Sequence, residues 1–301
     1  DRAALVRHAE IAMEQAKRTR RTYVVYAAKD DRSYPDGLAL LTDLRAAIEA
    51  GEIELAFQPD VEMSTGRVLR VEALARWTHA TRGPIGPDRF IPLAERSGLM
   101  GALTRSVLEK AIAQTAAWRA NGIELPVAVN LSVQDLLDRE LPFTIDDLLR
   151  RYSLPASFLS VELTESVLMG EMERAVPTLS TLRSLGVEVA IDDFGTGYSS
   201  LRYLAHLPAD RIKIDRSFIR EMANDRGASA IVRAAIDLAH DLKLEVVAEG
   251  VEEPIEWAQL LEMGAESVQG YFISRPLPAA AIPDWLAAYV PPVAVALLRA
   301  V

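Results

Sequence analysis

Residues 53–74 read IELAFQPDVEMSTGRVLRVEAL, and this stretch decides the fold. Two strand-like runs, IELAFQPDVE and RVLRVEAL, are separated only by a Ser-Thr-Gly turn around Gly66. Parallel pairing needs a crossover of a dozen or more residues, so these two strands must be antiparallel neighbours. Six further strand-like runs follow: PVAVNL (126–131), FLSVELT (158–164), VEVAIDD (187–193), RIKIDR (211–216), LEVVAEG (244–250) and ESVQGYF (266–272). Helical stretches such as LMGALTRSVLEKAIAQTAAWRA (99–120) and ASAIVRAAIDLAHDLK (228–243) lie between most of them. Strands alternating with helices imply a parallel sheet. Eight such strands predict an α/β fold closed into a (β/α)8 barrel, with its first strand running backwards. An open doubly wound sheet is the alternative, but no Gly-rich phosphate loop follows an early strand. The runs are rich in Val and Ile and read as strands buried on both faces.

Six of these strands stop at a polar residue: Glu72, Asn130, Glu162, Asp192 with Asp193, Lys213, and Glu249. Parallel barrel strands bring their C-terminal ends to one rim, where the chemistry of such folds sits. Glu72, Asn130, Glu162 and Asp192 are hard oxygen donors, suited to Mg²⁺ or Mn²⁺ rather than copper or zinc. Asp193 and Glu249 could serve a second ion, with Asp192 bridging. The five carboxylates balance two divalent ions plus Lys213. Without cations, carboxylates ~4 Å apart repel by about 1–4 kcal/mol per pair. Two ions ~3.5–4 Å apart generate a hydroxide and clamp the attacking and leaving oxygens of an in-line phosphoryl displacement. A lysine among carboxylates keeps its charge, so Lys213 reads as orienting water rather than as a free amine base.

Other residues extend this site. Lys213 and Asp215 share a strand face. Arg76 shares a face with Glu72 and Leu74 and could grip a phosphate bidentately. Gln58 and Gln269 lie at or near strand ends, where a buried amide needs partners. The loop DDFGTGYSSL (192–201) carries two glycines after two acids, which predicts a tightly turned active-site loop. His8, His79, His206 and His240 are scattered without a His–Asp pair and read as surface or packing residues. The run RTRR at 18–21 reads as a solvated helix end.

Composition narrows the classes. Half of the 301 residues are hydrophobic, enough for one large α/β domain, or one domain plus a fragment. The formal charge of −10, from 43 acids against 33 bases, argues against a nucleic-acid polymer as partner. With no cysteine, disulfides, thiolate zinc sites and Cys nucleophiles are excluded, and the cytoplasm is a compatible compartment. No segment reaches the ~20 apolar residues that span a bilayer, so no membrane contact is expected. The chain opens at Asp1 without a signal pattern and reads as a piece of a longer protein, whose parent could be membrane-anchored. Residues 3–20 predict a helix, TYVVYA (22–27) a strand, KDDRSYPDG (29–37) a linker, and LALLTDLRAAIEA (38–50) a helix stopping at Gly51. The C-terminal AYVPPVAVALLRAV (288–301) reads as a packing or partner-facing tail.

At these residues the sequence resembles the EAL domain family of bacterial cyclic di-GMP phosphodiesterases. The pieces that carry the resemblance are FQP (57–59), EALARW (72–77), NLS (130–132), ELTES (162–166), DDFGTGYSSL (192–201), KID (213–215), EGVE (249–252) and QGY (269–271). It implies a modified TIM barrel with an antiparallel first strand, and hydrolysis of cyclic di-GMP to linear pGpG with Mg²⁺ or Mn²⁺, two ions per site. By resemblance, Glu72, Asn130, Glu162 and Asp192 are expected first-metal ligands, and Asp192 and Asp193 ligands of a second. Lys213 is expected to hold the catalytic water, Glu249 to support that half of the site, and Glu165 to tether the loop after Asp193. Gln58, Leu74, Arg76, Asp215 and Gln269 are expected nucleotide contacts. The resemblance also implies a homodimer through the 192–201 region.

Residues 1–28 resemble the last helix and strand of a GGDEF domain, the diguanylate cyclase family, with Arg20 where a glycine is often found. The signature loop of that domain is absent, so no synthesis of cyclic di-GMP is expected from this chain. The expected division is a GGDEF-like remnant with linker at 1–33, an EAL phosphodiesterase domain at 34–290 and a tail at 291–301. Two other classes compete. One is a cyclic di-GMP-binding regulatory module with little turnover. The other is a metal-dependent barrel lyase with Lys213 as proton abstractor, which would need a capping domain.

Overall fold

A computed structural model of the chain describes residues 33–196 and 207–292, with positions 8, 9, 12, 13, 16 and 23–25 before them. The first helix, α1 (Ser33–Ala50), begins inside the segment expected to be a linker and crosses the expected domain boundary at 33/34. Pro35 does not prevent this, because the first turn of a helix needs no intrahelical N–H partner. Residues 8, 9, 12, 13 and 16 are helical, as expected. Tyr23–Val25 is not strand: Tyr23 and Val25 are exposed, and no described strand pairs with them. The RTRR run and residues 197–206 and 293–301 lie outside the described residues.

The next elements are β1 (Ile53–Glu62), β2 (Val68–His79) and the short β3 (Gly83–Ile85), then α2 (Pro87–Ser97) and α3 (Met100–Ala120). There follow β4 (Val127–Asn130), α4 (Val133–Leu137), α5 (Leu141–Arg151), β5 (Leu159–Thr164), α6 (Glu165–Leu185) and β6 (Glu188–Phe194). The last third holds β7 (Arg211–Ile214), α7 (Arg216–Met222), α8 (Arg226–Asp241), β8 (Glu245–Glu249), α9 (Pro254–Met263), β9 (Ser267–Gln269), β10 (Leu277–Pro278) and α10 (Ile282–Ala288).

The eight expected strands close into a barrel in the order β1-β2-β4-β5-β6-β7-β8-β9, with β9 returning to β1. β1 is antiparallel to both of its barrel neighbours, β2 and β9, and every other barrel pair is parallel. The turn at Gly66 makes the reversal. Its φ is +73°, and a Cβ there would lie 2.4 Å from Pro291, so the turn is held under the C-terminal segment.

Both strand faces are buried, as expected, but by different chemistry. One face of each strand is apolar and meets the helices: Val127, Val129, Val161, Ile191, Ile212, Val246 and Val268 are buried there, and Phe57 meets Trp118 of α3 with ring centroids 4.8 Å apart. The alternate positions face the barrel axis, and these carry the polar residues, interspersed with the apolar Ala128, Ala190 and Val247. Among the described residues, no helix is long and apolar enough to cross a membrane.

Candidate active site

The strand register places the axial residues. Asn130 pairs with Glu162, Thr164 with Asp192, Lys213 with Val247, and Glu249 with Gln269. Glu72 is a partial exception to the expectation. It sits mid-strand, because β2 runs on to His79, held by β1 on one edge and by β3 beyond the barrel. Glu72 still reaches the site, since its carboxylate meets Asn130, Lys213 and Gln269.

Lys213 is the centre of the arrangement. It is 2% exposed, and its Nζ lies 2.6 Å from Glu249 Oε1, 2.7 Å from Glu162 Oε2, 3.4 Å from Glu72 Oε2 and 3.6 Å from Asp192 Oδ1. Burial by itself would lower its pKa. The carboxylates of Asp192, Glu162, Glu249 and Glu72 outweigh burial and raise it well above the usual lysine value. Lys213 therefore remains an ammonium, a hydrogen-bond donor and not a base.

The carboxylates divide by their partners. Burial pushes Glu72 up, but Lys213 and the hydrogen bonds from Gln269 and Asn130 prevail and hold it below its ordinary value. Gln269 Nε2 donates to Glu72 Oε2 at 2.7 Å, and Asn130 Nδ2 donates to Glu72 Oε1 at 2.6 Å. Glu162 is raised well above its ordinary value by burial and by repulsion from Glu72 and Asp192, against the pull of Lys213. Glu249 is pushed up to about 8, first by burial and then by Asp192 and Glu72, against Lys213. Asp193 is pushed to about 6 by burial, Asp192 and Asp215. Several acids crowd one lysine, which is an excess of negative charge that a cation would relieve.

The donor set fits a hard divalent cation. Asp192, Asp193 and Glu249 bring carboxylate oxygens within 4.8 Å of one another. This grouping matches the reading of the residues, in which Glu249 joins Asp193 around a shared Asp192. Glu72 accepts from both Asn130 and Lys213, and Glu162 Oε2 accepts from Lys213 Nζ at 2.7 Å. Asp193 has a left-handed backbone, φ 54°, rare for a non-glycine residue, and its N–H donates to Asp192 Oδ1 at 2.9 Å. Glu165 Oε2 accepts from Gly195 N at 2.8 Å, so that side chain does reach the loop after Asp193.

The expected nucleotide contacts are less uniform. Gln58 is buried, and its Nε2 donates to Ser274 O at 3.1 Å. Arg76, half-buried, donates to Ala75 O at 2.9 Å, and Leu74 is half-buried beside it. Asp215 caps α7, accepting from Ser217 N at 3.0 Å. Two histidines do have acid partners, contrary to expectation: His79 Nε2 is 3.2 Å from Asp43 Oδ2, and His240 Nε2 is 2.9 Å from Glu266 Oε1. These partners are distant in sequence, and neither pair includes a site residue. His206 lies outside the described residues.

The sequence reading missed the axial residues one layer below the site: Asp60, Arg70, Arg211 and Glu188. Their signal was available, since each lies two or four positions before a site residue, or, for Asp60, two after Gln58.

A family model described as the EAL domain matches residues 41–276. "Cyclic di-GMP phosphodiesterase NbdA" of Pseudomonas aeruginosa is 41% identical over 95% of this chain and 37% of its own length. "Cyclic di-GMP phosphodiesterase PdeR" of Escherichia coli is 38% identical over 96% of this chain and 44% of its own length. The chain thus spans less than half of these curated relatives. A solved structure described as "PaMucR Phosphodiesterase, c-di-GMP complex" superposes with a TM-score of 0.77 at 42% identity, covering 81% of this chain and 99% of that one.

Proposed function

The chain belongs to the EAL domain family, and on that premise we propose that it is a metal-dependent phosphodiesterase that hydrolyses cyclic di-GMP to linear pGpG. The observation that carries the reading is the cage of four carboxylates around the buried Lys213, beside the Asp192–Asp193–Glu249 group. Mg²⁺ or Mn²⁺, two per site, would supply Lewis acidity at the phosphate and lower the pKa of the attacking water. Asp192, Asp193 and Glu249 would hold one side of that centre, and Glu72, Asn130 and Glu162 the other.

The chain's own residues define the step. Water adds to one phosphorus, the P–O3′ bond breaks, and the 3′ oxygen leaves with a proton. This opens the ring to a dinucleotide with a free 5′ phosphate. Lys213, fixed as an ammonium, donates to the water oxygen and orients it. Glu249 holds that ammonium from the side of Asp192. Gln58, Leu74, Arg76, Asp215 and Gln269 line the nucleotide side, with Arg76 carrying the positive charge for a phosphate. Glu165 fixes the loop after Asp193 through Gly195 N. The catalytic domain would span 34–290, with a GGDEF-like remnant at 1–33 and a tail at 291–301. A cytoplasmic location and a homodimer through 192–201 complete the reading.

The test is to incubate the pure chain with cyclic di-GMP and Mn²⁺, with and without chelator, and to separate the products. Appearance of pGpG only with metal supports the proposal. Tight binding without turnover would point instead to a regulatory binding module, and full turnover after exhaustive chelation would refute the metal requirement.

A further inference from the structure

The barrel axis carries a second charged layer beneath the proposed site. Residues two apart on a strand face the same way, so Arg70 lies beneath Glu72 and Arg211 beneath Lys213, with Glu188 and Glu245 four positions before Asp192 and Glu249. Arg70 Nε lies 3.2 Å from Asp60 Oδ2, and Arg70 Nη1 lies 3.2 Å from Glu188 Oε2. Arg211 lies 2.6 Å from Glu188 Oε2 and 2.7 Å from Glu245 Oε2. These pairs tie the antiparallel β1–β2 ribbon across the axis to β6, β7 and β8.

Interiors of (β/α)8 barrels are dominated by layers of Val, Ile and Leu. Here a cavity of about 10 Å³, no larger than a single water, is lined from below by Asp60, Arg70 and Arg211 and from above by Glu72, Glu162 and Lys213. Asp60 Oδ1 is buried and makes no hydrogen bond among the described residues. Burial pushes the Asp60 carboxyl up, while Arg70 and, across the cavity, Lys213 pull it down, so the two layers act on each other.

We propose that Arg70 is a positioning residue that sets, by its charge, how strongly the carboxylate site above it takes a divalent cation. The inference rests on the metal-dependent reading given above. Arg70 stands two residues below Glu72, roughly 7 Å along the strand, and its positive charge, shared with Asp60 and Glu188, keeps the acids of this lower layer from adding their full negative charge to the site. It thereby limits cation affinity and keeps the site tolerant of an anionic phosphodiester.

The experiment is calorimetric titration of Mn²⁺ into the whole chain for the wild type, Arg70→Gln, Arg70→Lys and Glu188→Gln. A unit charge roughly 7–10 Å from a divalent ion changes its affinity by about 4- to 8-fold even at aqueous dielectric. Arg70→Gln should therefore tighten Mn²⁺ binding by at least about 4-fold, Arg70→Lys should leave it unchanged, and Glu188→Gln should weaken it. Opposite signs for the two glutamine variants are the signature of charge. Weaker binding in both would mean that the network only braces the barrel, and unchanged affinity in Arg70→Gln would likewise overturn the proposal. Should Arg70→Gln not fold, Glu188→Gln decides, because Glu188 is partly exposed (38%) and its sign alone contradicts the proposal if Mn²⁺ binds as well or better. A wild-type chain that takes up no Mn²⁺ fails the metal-dependent reading itself, an outcome distinct from these.

Discussion

Replacing Lys213 by alanine should damage stability and chemistry by separable amounts. In the metal-free protein the ammonium stands 2.6 Å from Glu249 and 2.7 Å from Glu162. At an effective dielectric near 20, each contact carries an attraction of about 6 kcal/mol, much of it offset by the desolvation of the lysine. Removing one partner from a buried ion cluster costs about 3–5 kcal/mol net, because the other charges are left uncompensated. For a domain of this size, that corresponds to a fall in Tm of about 6–20 °C. Calorimetry in chelator at pH 8, where Glu249 is about half ionised, should show a clear loss. At pH 6 the loss should shrink, since Glu249, pushed to about 8, is already protonated there and one fewer charge is left stranded. Mn²⁺ should restore much of the Tm. The single-turnover rate with Mn²⁺ and cyclic di-GMP should still fall by about 10²–10³, the loss expected for one preorganised electrostatic group. An unchanged Tm in chelator at pH 8 would mean that the cage does not hold the lysine as described. A single-turnover rate within a few-fold of wild type would remove Lys213 from the chemistry.

Glu165→Ala removes the acceptor of Gly195 N, and should weaken metal affinity or activity by about 10–100-fold. Hydrogen exchange at residues 192–196 should rise with it, and an unchanged metal midpoint with unchanged exchange would reduce Glu165 to a helix-start acid. In the metal-free protein the folded state holds a proton on Glu249 up to about pH 8, and one on Asp193 up to about pH 6, that the unfolded chain releases near 4.5 and 3.8. Stability should therefore fall as pH rises from about 4 to 8. Glu249→Gln should flatten the upper part of that decline in Tm measured from pH 5 to 8.5, and an identical slope in the variant would contradict the assignment. Gly270→Ala places a Cβ 2.1 Å from Val251 O and 2.4 Å from Val251 N, backbone atoms that cannot turn aside. It should destabilise the protein by about 1–3 kcal/mol, and an unchanged Tm would show that this strand end can move.

The reversal of β1 was legible in residues 53–74 because the turn at Gly66 is too short to carry a crossover, a constraint of chain length alone. The eight strands were legible for a similarly local reason, since apolar runs and the helices between them are properties of neighbouring residues. The acids that gather at the site were legible too, each marked by an apolar run and by a family motif. What only the tertiary structure decided lies across the axis. Gln269 and Glu72, which share a hydrogen bond, are 197 positions apart, and Lys213 and Glu72 are 141 apart. Which carboxylates surround the lysine, and which share the space around Asp192, depends on the register of every strand between them. The extension of β2 past Glu72, the pairing of His79 with Asp43, and the Asp60–Arg70–Glu188 layer were hidden for the same reason. Alternation along a strand says that a residue faces inward, but only closure of the barrel says what it meets there, because those distances are set by the summed stagger and tilt of the strands.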